Sequence, residues 1–588
     1  MKLLPYKLLV AALMSGLLVF TSARQVAAQE VEAVQSGEFT KQFGKPGEAG
    51  SFLVTFWDFG ASVRSVSLLD NFQSVEGKRK ESPEQGDYYK IVDMVEAGFT
   101  SLRLRELNPD KRRFPSVKLD VAPWEREELD DGGVKFTLDG GNGLSLEKTY
   151  RHEVGSRDLI LEIGLRNKGY EGGETSIKLM LEGPTLPSPT SEHFFGRNPA
   201  VAIGRVWDGQ EERLETARVD GNPNSSQRPV VAALNGPRKI AFAGSTNRFF
   251  ASFLYPADDV SEDALYSASM FRLPVGRINL EDHGPWSVPQ VLYMLRFDVP
   301  KETGGITKLR YRLYLGPKSS RIFGEHPDYE QFDAIVDTDL TPPCLFGCVV
   351  PGARPMGKFL LWILRLLHDM VPSWGVAIIL LTLIVRSLVA PLNFRMQKSM
   401  RVYGAKMARL APQLEEIKKK FGSDKKRYQQ AMVEFQKQHK MFPPIGGCLP
   451  LFITLPVFLG LFTTLRVAYD LRLESFLYVA DLSKPDALFE LGLSFMPHFN
   501  LLPLLWMALF AILSFSQPLP KDPQQRQMGM IMRGMPFLFG VMLYNYAAGL
   551  MVYLVTSSLV SLIEARVTKK ILGPMPQAGA GVPQMPTL

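Results

Sequence analysis

The sequence predicts a polytopic α-helical membrane protein that carries a large all-β domain on the non-cytoplasmic side. Up to about residue 350 the chain is polar, with apolar residues alternating at strand period. Beyond that point apolar runs approaching the ~30 Å hydrocarbon thickness recur at short intervals. Basic residues concentrate in alternate loops between those runs, as membrane topology requires.

Residues 1–29 open with Lys2 and Lys7, continue through an apolar core from Leu8 to Phe20, and end in the small residues Val26-Ala27-Ala28. This is the tripartite pattern of a signal segment. Cleavage after Ala28 and retention as an anchor are both open, and either exports the residues from about 30 onward. Residues 30–350 then read as a β-sandwich. Leu159, Leu161, Ile163 and Leu165 alternate with polar or small neighbours, as do Ile177, Leu179 and Leu181, and Leu309, Tyr311, Leu313 and Leu315. Turn clusters such as Asp139-Gly140-Gly141-Asn142-Gly143 separate the strands.

Residues 355–372 predict an amphipathic helix. Phe359, Leu360, Trp362, Ile363, Leu366, Leu367 and Met370 share one face, with Lys358, Arg365 and Asp369 on the other. A helix lying in the membrane interface is the reading taken, and a core helix of the β-domain is its rival. Transmembrane segments are expected at 373–392, 449–466, 501–516, 534–547 and 549–564. The last two could form one helix, but a hairpin turning at 545–549 keeps Arg533, Arg566, Lys569 and Lys570 on one side.

The formal net charge of +7 and a pI near 9.0 do not signal nucleic-acid binding, because the excess lies beside a membrane span and lacks interleaved aromatics. Loop 393–443 holds most of it and is placed in the cytoplasm. Loop 467–500 is acidic and falls outside, whereas loop 517–533 and the tail 565–588 fall inside. Within the basic loop, Met400, Tyr403, Met407, Leu410, Leu414, Ile417 and Phe421 follow a heptad seam. Tyr428, Met432, Phe435 and Phe442 continue it after Gly422-Ser423, which predicts an antiparallel helical hairpin. Lys406, Arg409, Lys418, Lys419, Lys420, Lys425 and Lys426 make its surface cationic. A docking arm for a cytoplasmic partner and a solvated hairpin that enforces topology are the two readings.

Arg386 lies inside the apolar run from Ile378 to Ala390. An arginine at a helix centre costs about 2.5–3.5 kcal/mol on insertion scales, so such a residue faces a bundle interior or a wet cavity. At ~1.5 Å per residue it lies roughly 18 Å from Trp374, in the cytoplasmic half. Snorkelling to the inner headgroups is the rival reading. Thr382, one turn earlier, shares its face. Thr454, Thr463, Thr464, Ser514, Asn545, Thr556, Ser557 and Ser558 could wet the same space or serve as interhelical packing aids.

No acid or histidine accompanies Arg386 within the apolar runs, the last of which ends at Ile563, as a proton-coupled carrier would need, and no nucleophile–base pair or phosphate loop points to an enzyme. The three cysteines, Cys344, Cys348 and Cys448, form no zinc pattern, and no metal or cofactor is expected. Cys344 and Cys348 could pair in an oxidising compartment or remain thiols. A transporter or channel with a glycan-binding exported domain is the other function these residues allow.

From Trp374 to about Lys570 the chain resembles the bacterial branch of the YidC/Oxa/Alb membrane-protein insertases. The residues that carry the resemblance are the span ending Ile384-Val385-Arg386 and running into Pro391-Leu392, the charged hairpin, then Pro444-Ile445-Gly446-Gly447-Cys448-Leu449-Pro450 and Pro456-Val457-Phe458. The exported β-domain and the interfacial helix match the Gram-negative layout. The resemblance implies a five-helix insertase core plus an N-terminal signal or anchor, with a periplasmic β-sandwich domain in the cell inner membrane and a cytoplasmic C-terminus. It further implies a hydrophilic groove open to cytoplasm and lipid, with Arg386 inside and Thr382 facing it. Thr454, Tyr553 and Ser557 are the other candidates for its lining. Nascent membrane proteins would be inserted, alone or with the Sec translocon, after delivery by the ribosome or signal-recognition machinery. No nucleotide is hydrolysed by the insertase itself. The final span departs from better-known members in having Tyr553-Leu554 where they carry consecutive tyrosines.

Overall fold

The computed structural model describes residues 37–93, 100–106, 114, 118–184, 186, 200–207, 210–217, 238–273, 288–333, 335–336, 352–421, 425–438, 449–493, 496–516 and 523–573. The N-terminal segment 1–29, the three cysteines and the turn at Gly422-Ser423 lie outside them. The chain divides into two compact units, Met1–Lys318 and Ser319–Leu588. The β-domain was expected to run to about 350, but its last strand ends at Pro317. Short helical turns come next, whose Phe323, Tyr329 and Phe332 pack on one another within the second unit.

The first unit is β-rich. A nine-stranded antiparallel sheet runs in spatial order Gln210–Ala217, Ala200–Trp207, Arg238–Thr246, Phe250–Pro256, Ile306–Pro317, Asp158–Asn167, Leu144–His152, Val134–Asp139 and Glu125–Glu128. The alternating residues are paired across it: Leu309 opposite Ile163, Tyr311 opposite Leu161, and Leu313 opposite Leu159. All six are buried, as a sheet with one face on a core demands. A four-stranded sheet from Glu38 to Asp93 meets this sheet through Phe56, whose ring lies 5.0 Å from Tyr150 and 5.8 Å from Phe136. A second four-stranded sheet includes Ser176–Glu182 and Val288–Asp298, and joins it where the Tyr293 hydroxyl donates to the Ala243 carbonyl at 2.8 Å.

Two non-glycine residues of this unit, Ala61 (φ +43°) and Leu102 (φ +61°), adopt left-handed backbone, which costs an L-residue of their kind steric strain. One ammonium ties both. Lys148, fully buried, donates from Nζ to the Ala61 carbonyl at 2.7 Å and to the Leu102 carbonyl, and Tyr150 adds a bond to Ala61 at 2.9 Å. Burial pulls the Lys148 ammonium down to about 7, against the opposing pull of the Glu182 charge. The unfolded lysine titrates near 10.5, so between about pH 7 and 10.5 the unfolded chain holds the extra proton and stability rises with pH. Lys148→Met strips both strained carbonyls of this donor; Ala61 keeps its bond from Tyr150, while the Leu102 carbonyl loses the ammonium at a cost of about 1–3 kcal/mol. We expect a loss of about 1–3 kcal/mol in thermal unfolding of the full chain, together with a flatter dependence on pH between 7 and 10.

Among the described residues of the second unit, the longer helices run in order: α1 (Ala353–Met370), α2 (Trp374–Phe421), α3 (Lys425–Gln438), α4 (Leu449–Val467), α5 (Leu501–Phe515), α6 (Pro523–Met542) and α7 (Ala548–Leu572). The first span and the first arm of the basic hairpin are a single helix, α2, because no residue between 392 and 421 carries a stop signal strong enough to break it. Pro391 and Pro412 are both accommodated inside it. Helix α3 packs back on α2 and buries Phe435. Helices Trp374–Ser399 and Ala548–Leu572 are long and apolar enough to cross a membrane, while Pro456–Val467, Leu501–Phe515 and Gly529–Met542 are shorter.

Helix α1 is apolar on more than the one face expected. Leu360, Leu361 and Leu364 are buried while Phe359, Trp362, Leu366 and Met370 are exposed, so the expected stripe is divided between a protein-facing and an outward-facing side. The reason is a close crossing with α4. A Cβ on Gly460 would stand 3.0 Å from the Gly357 nitrogen and 3.1 Å from the Ala353 carbonyl, and the Thr464 hydroxyl donates to the Gly357 carbonyl at 3.0 Å. Small residues let backbones approach this closely in membrane helices. Gly460→Val should therefore lower the thermal stability of the purified chain by roughly 1–3 kcal/mol. Gly534→Ala, with nothing within 4 Å of its Cβ, should leave it unchanged or raise it slightly.

Candidate functional site

Helices α2 and α7 run side by side in the same direction. Ile378 touches the Cβ position of Gly549, Arg386 bonds Ser557, and the Arg401 guanidinium donates to the Gly573 carbonyl. The pairing keeps one register over the whole stretch from Ile378 to Arg401, about 35 Å at ~1.5 Å per residue. One end of this pair is closed by an apolar contact and the other by a hydrogen bond, and its middle is held by a charge.

That charge is Arg386. Its Nε donates to the Ser557 Oγ at 2.9 Å, Nη2 reaches the same oxygen, and the side chain is half-buried. Arg386 lies on the candidate span Trp374–Ser399, roughly 18 Å along the helix from Trp374 at ~1.5 Å per residue. Tyr553, one turn before Ser557 on α7, interacts with the Ser557 side chain and feels the Arg386 charge. Its ring lies 6.5 Å from Phe458 of α4, so a third helix closes on the same place. Three sequence-selected residues, Arg386, Tyr553 and Ser557, thus converge.

The remaining hydroxyls do not join them. Thr382 is buried and spends its proton on the Ile378 carbonyl at 2.7 Å, one turn back on its own helix. Thr463 bonds Leu459, Thr556 bonds Val552 and Thr464 bonds Gly357, all to backbone. Thr454 lies on α4, with its side chain outside the described residues. On the hairpin Arg409, Lys419, Lys420 and Lys426 are exposed, whereas the side chains of Lys406, Lys418 and Lys425 are outside the described residues.

From the sequence, loop 467–500 reads only as an acidic marker of topology. In the structure it caps two helices. Asp486 Oδ2 accepts from the Leu501 and Leu502 nitrogens at 2.7 and 2.9 Å, supplying the carboxylate that the N-terminus of α5 attracts. The carbonyls of Lys484 and Leu482 accept from Ala548 and Gly549 at the start of α7, at 2.7 and 2.8 Å. Asn500 reaches the Tyr544 carbonyl at 2.9 Å and Asn545 at 3.2 Å, and Asp470 pairs with Arg365 of α1 at 2.8 Å. Asp481 Oδ1 accepts from Ser483 N at 2.9 Å, and this Asp-x-Ser turn was the one local signal available in the sequence.

A helical membrane protein with a β-rich N-terminal region and an arginine lodged between two long apolar helices is the class this architecture defines. A model of the family described as 60Kd inner membrane protein matches residues 366–574. The membrane protein insertase YidC of Neisseria meningitidis serogroup C is 32% identical over 451 residues, covering 75% of this chain and 74% of the relative. That of Anaeromyxobacter sp. (strain K) is 27% identical over 538 residues, covering 90% and 85%. The crystal structure of an active YidC insertase with its first transmembrane domain resolved aligns over 93% of this chain at 18% identity, with a TM-score of 0.31. The chain belongs to the YidC family of bacterial inner-membrane insertases. It acts on membrane proteins by inserting them and is not an enzyme. The transporter-or-channel reading gains nothing from these relatives.

Ser557→Ala removes the side-chain acceptor of Arg386 and should free the guanidinium. Modification of Arg386 by an arginine-selective dicarbonyl, followed by mass spectrometry, should then be several-fold faster. Thr556→Ala, whose hydroxyl serves its own helix, should leave the rate unchanged.

Proposed function

We propose that α2, α4, α5, α6 and α7 form a five-helix core around a hydrophilic groove, and that Arg386 is the charge which makes the groove attractive to a translocating tail. The observation that carries this is the Arg386–Ser557 contact near the middle of Trp374–Ser399. A substrate helix partitions into lipid by its own hydrophobicity, but its polar tail must cross a medium in which each unsolvated polar group costs several kcal/mol. A wet groove reaching partway through shortens that crossing. Leu501–Phe515 is about 22 Å long at ~1.5 Å per residue, short of the ~30 Å hydrocarbon layer, so lipid beside it thins and the barrier falls further. Lateral release needs no motor.

In this reading Tyr553 and Ser557 line the groove with Arg386, Thr382 backs it, and Thr454 completes the α4 wall. The capped loop 467–500 seals the other end. The α2–α3 hairpin, with Lys406, Arg409, Lys418, Lys419, Lys420, Lys425 and Lys426, faces the cytoplasm and receives the ribosome or signal-recognition machinery. The β-rich unit lies in the periplasm of a Gram-negative cell as a scaffold, and the groove works alone or beside the Sec translocon. The charge alternation of the loops supports this orientation. Helix α1 rests in the interface, with Phe359, Trp362, Leu366 and Met370 toward lipid.

Arg386→Ala should reduce insertion of substrates with acidic translocated tails about tenfold, equivalent to about 1.4 kcal/mol, while neutral-tailed substrates lose far less. Insertion assays on paired substrates differing only in tail charge measure this. Equal insertion of both at wild-type levels removes the electrostatic role.

A further inference from the structure

The loop joining α4 to α5 presents large apolar side chains on a rigid frame. Leu477 is 84% exposed at the tip of a turn and holds φ +53°, a conformation in which glycine, asparagine or aspartate is the usual choice. Leu488, Phe489 and Leu491 are exposed on the neighbouring β-hairpin, Phe489–Leu493 with Met496–Phe499. Hydrogen bonds gather these tips around the first turn of α5. Leu488 N donates to the Phe499 carbonyl at 2.9 Å and Ala487 N to Asn500 Oδ1 at 3.0 Å. The Tyr478 hydroxyl donates at 2.8 Å to Asp486 Oδ2, the oxygen that also caps α5.

The apolar surface does not stop at the loop. Leu501 and Leu505 at the start of α5 are exposed, and the surface runs on through Ile512 and Phe515. With α5 read as a span, as proposed above, these residues meet acyl chains, so the loop tips continue a lipid-facing surface past the helix end. The charge of the loop selects the kind of lipid contact. Asp470, Glu474, Asp481, Asp486 and Glu490 outweigh Arg472 and Lys484, so anionic headgroups are repelled and only apolar insertion is favourable.

We propose that Leu477, Leu488, Phe489 and Leu491 are seated at the headgroup–acyl boundary of the leaflet in which α5 begins, and that this loop docks on lipid. Such seating fixes the depth of the one segment that caps both α5 and α7. The proposal holds whichever side of the membrane that leaflet faces and does not depend on Arg386.

The test uses the full chain with Cys344, Cys348 and Cys448 replaced by serine and one new cysteine: Leu477→Cys, Leu488→Cys or, as a control, Lys484→Cys. Each carries an environment-sensitive fluorophore and is reconstituted into phosphatidylcholine vesicles containing lipids spin-labelled near the top of the acyl chain. Probes at 477 and 488 should be quenched by these lipids at least twofold more than the probe at 484. That difference should survive both tenfold dilution of the protein with lipid and 1 M salt. Quenching by aqueous iodide equal to that at 484 overturns the proposal. Shielding lost on dilution assigns the surface to a second copy of the chain, and shielding lost in salt assigns it to headgroup charge; either result also overturns it. Leu477→Trp in the otherwise unaltered chain, read against brominated lipids, gives the same ordering should the cysteine-free background misfold.

Discussion

A guanidinium near the centre of an apolar helix cannot be left to hydrocarbon, and the arrangement of the membrane unit obeys that constraint. Arg386 would cost a few kcal/mol on a lone helix and is tolerable where a polar partner and water share its burden. Ser557 supplies the partner, and it can do so only because α7 lies against α2 in fixed register from Ile378 to Arg401. The charge and the parallel helix pair are thus one feature. Removing either leaves the other without a physical reason.

The register in turn depends on the far end of the pair. Helix α7 begins with nitrogens that have no helical acceptor, and carbonyls of Lys484 and Leu482 satisfy two of them. The same loop lends Asp486 to α5 and pairs Asp470 with Arg365 of α1, so one loop caps two helices and ties a third. Backbone nitrogens at the starts of α5 and α7 are satisfied there, whereas in the middle of the α2–α7 pair a charged group has a single hydroxyl oxygen as its protein acceptor among the described residues. A polar segment arriving at Arg386 finds guanidinium donors still to satisfy.

Much of this was legible in the sequence because its signals are local. Alternation at period two in Leu159–Leu165 and Leu309–Leu315 identified strands that lie next to each other, since each set needs an apolar partner on the same face. Arg386 stood out by its cost alone. The hydroxyls were not separable by the same means, because Thr382, Thr463 and Thr556 bond their own helices and nothing in a sequence distinguishes back-bonding from a wet wall. The two-sided apolarity of α1 was hidden because the Gly357–Gly460 crossing joins residues far apart in the chain. For the same reason Asp470 and Asp486 read as charges of topology and not as ligands of helix ends.

The proposed groove requires water to reach Arg386 from the hairpin side of α2 and α7 and to stop before the capped loop. Ser557→Cys, probed with a membrane-impermeant maleimide added separately to each face of oriented inner-membrane vesicles, tests it most directly. Labelling is expected from the face bearing the α2–α3 hairpin and none from the face bearing loop 467–500. Labelling from the loop face, or reaction only with lipid-soluble reagents, would contradict it.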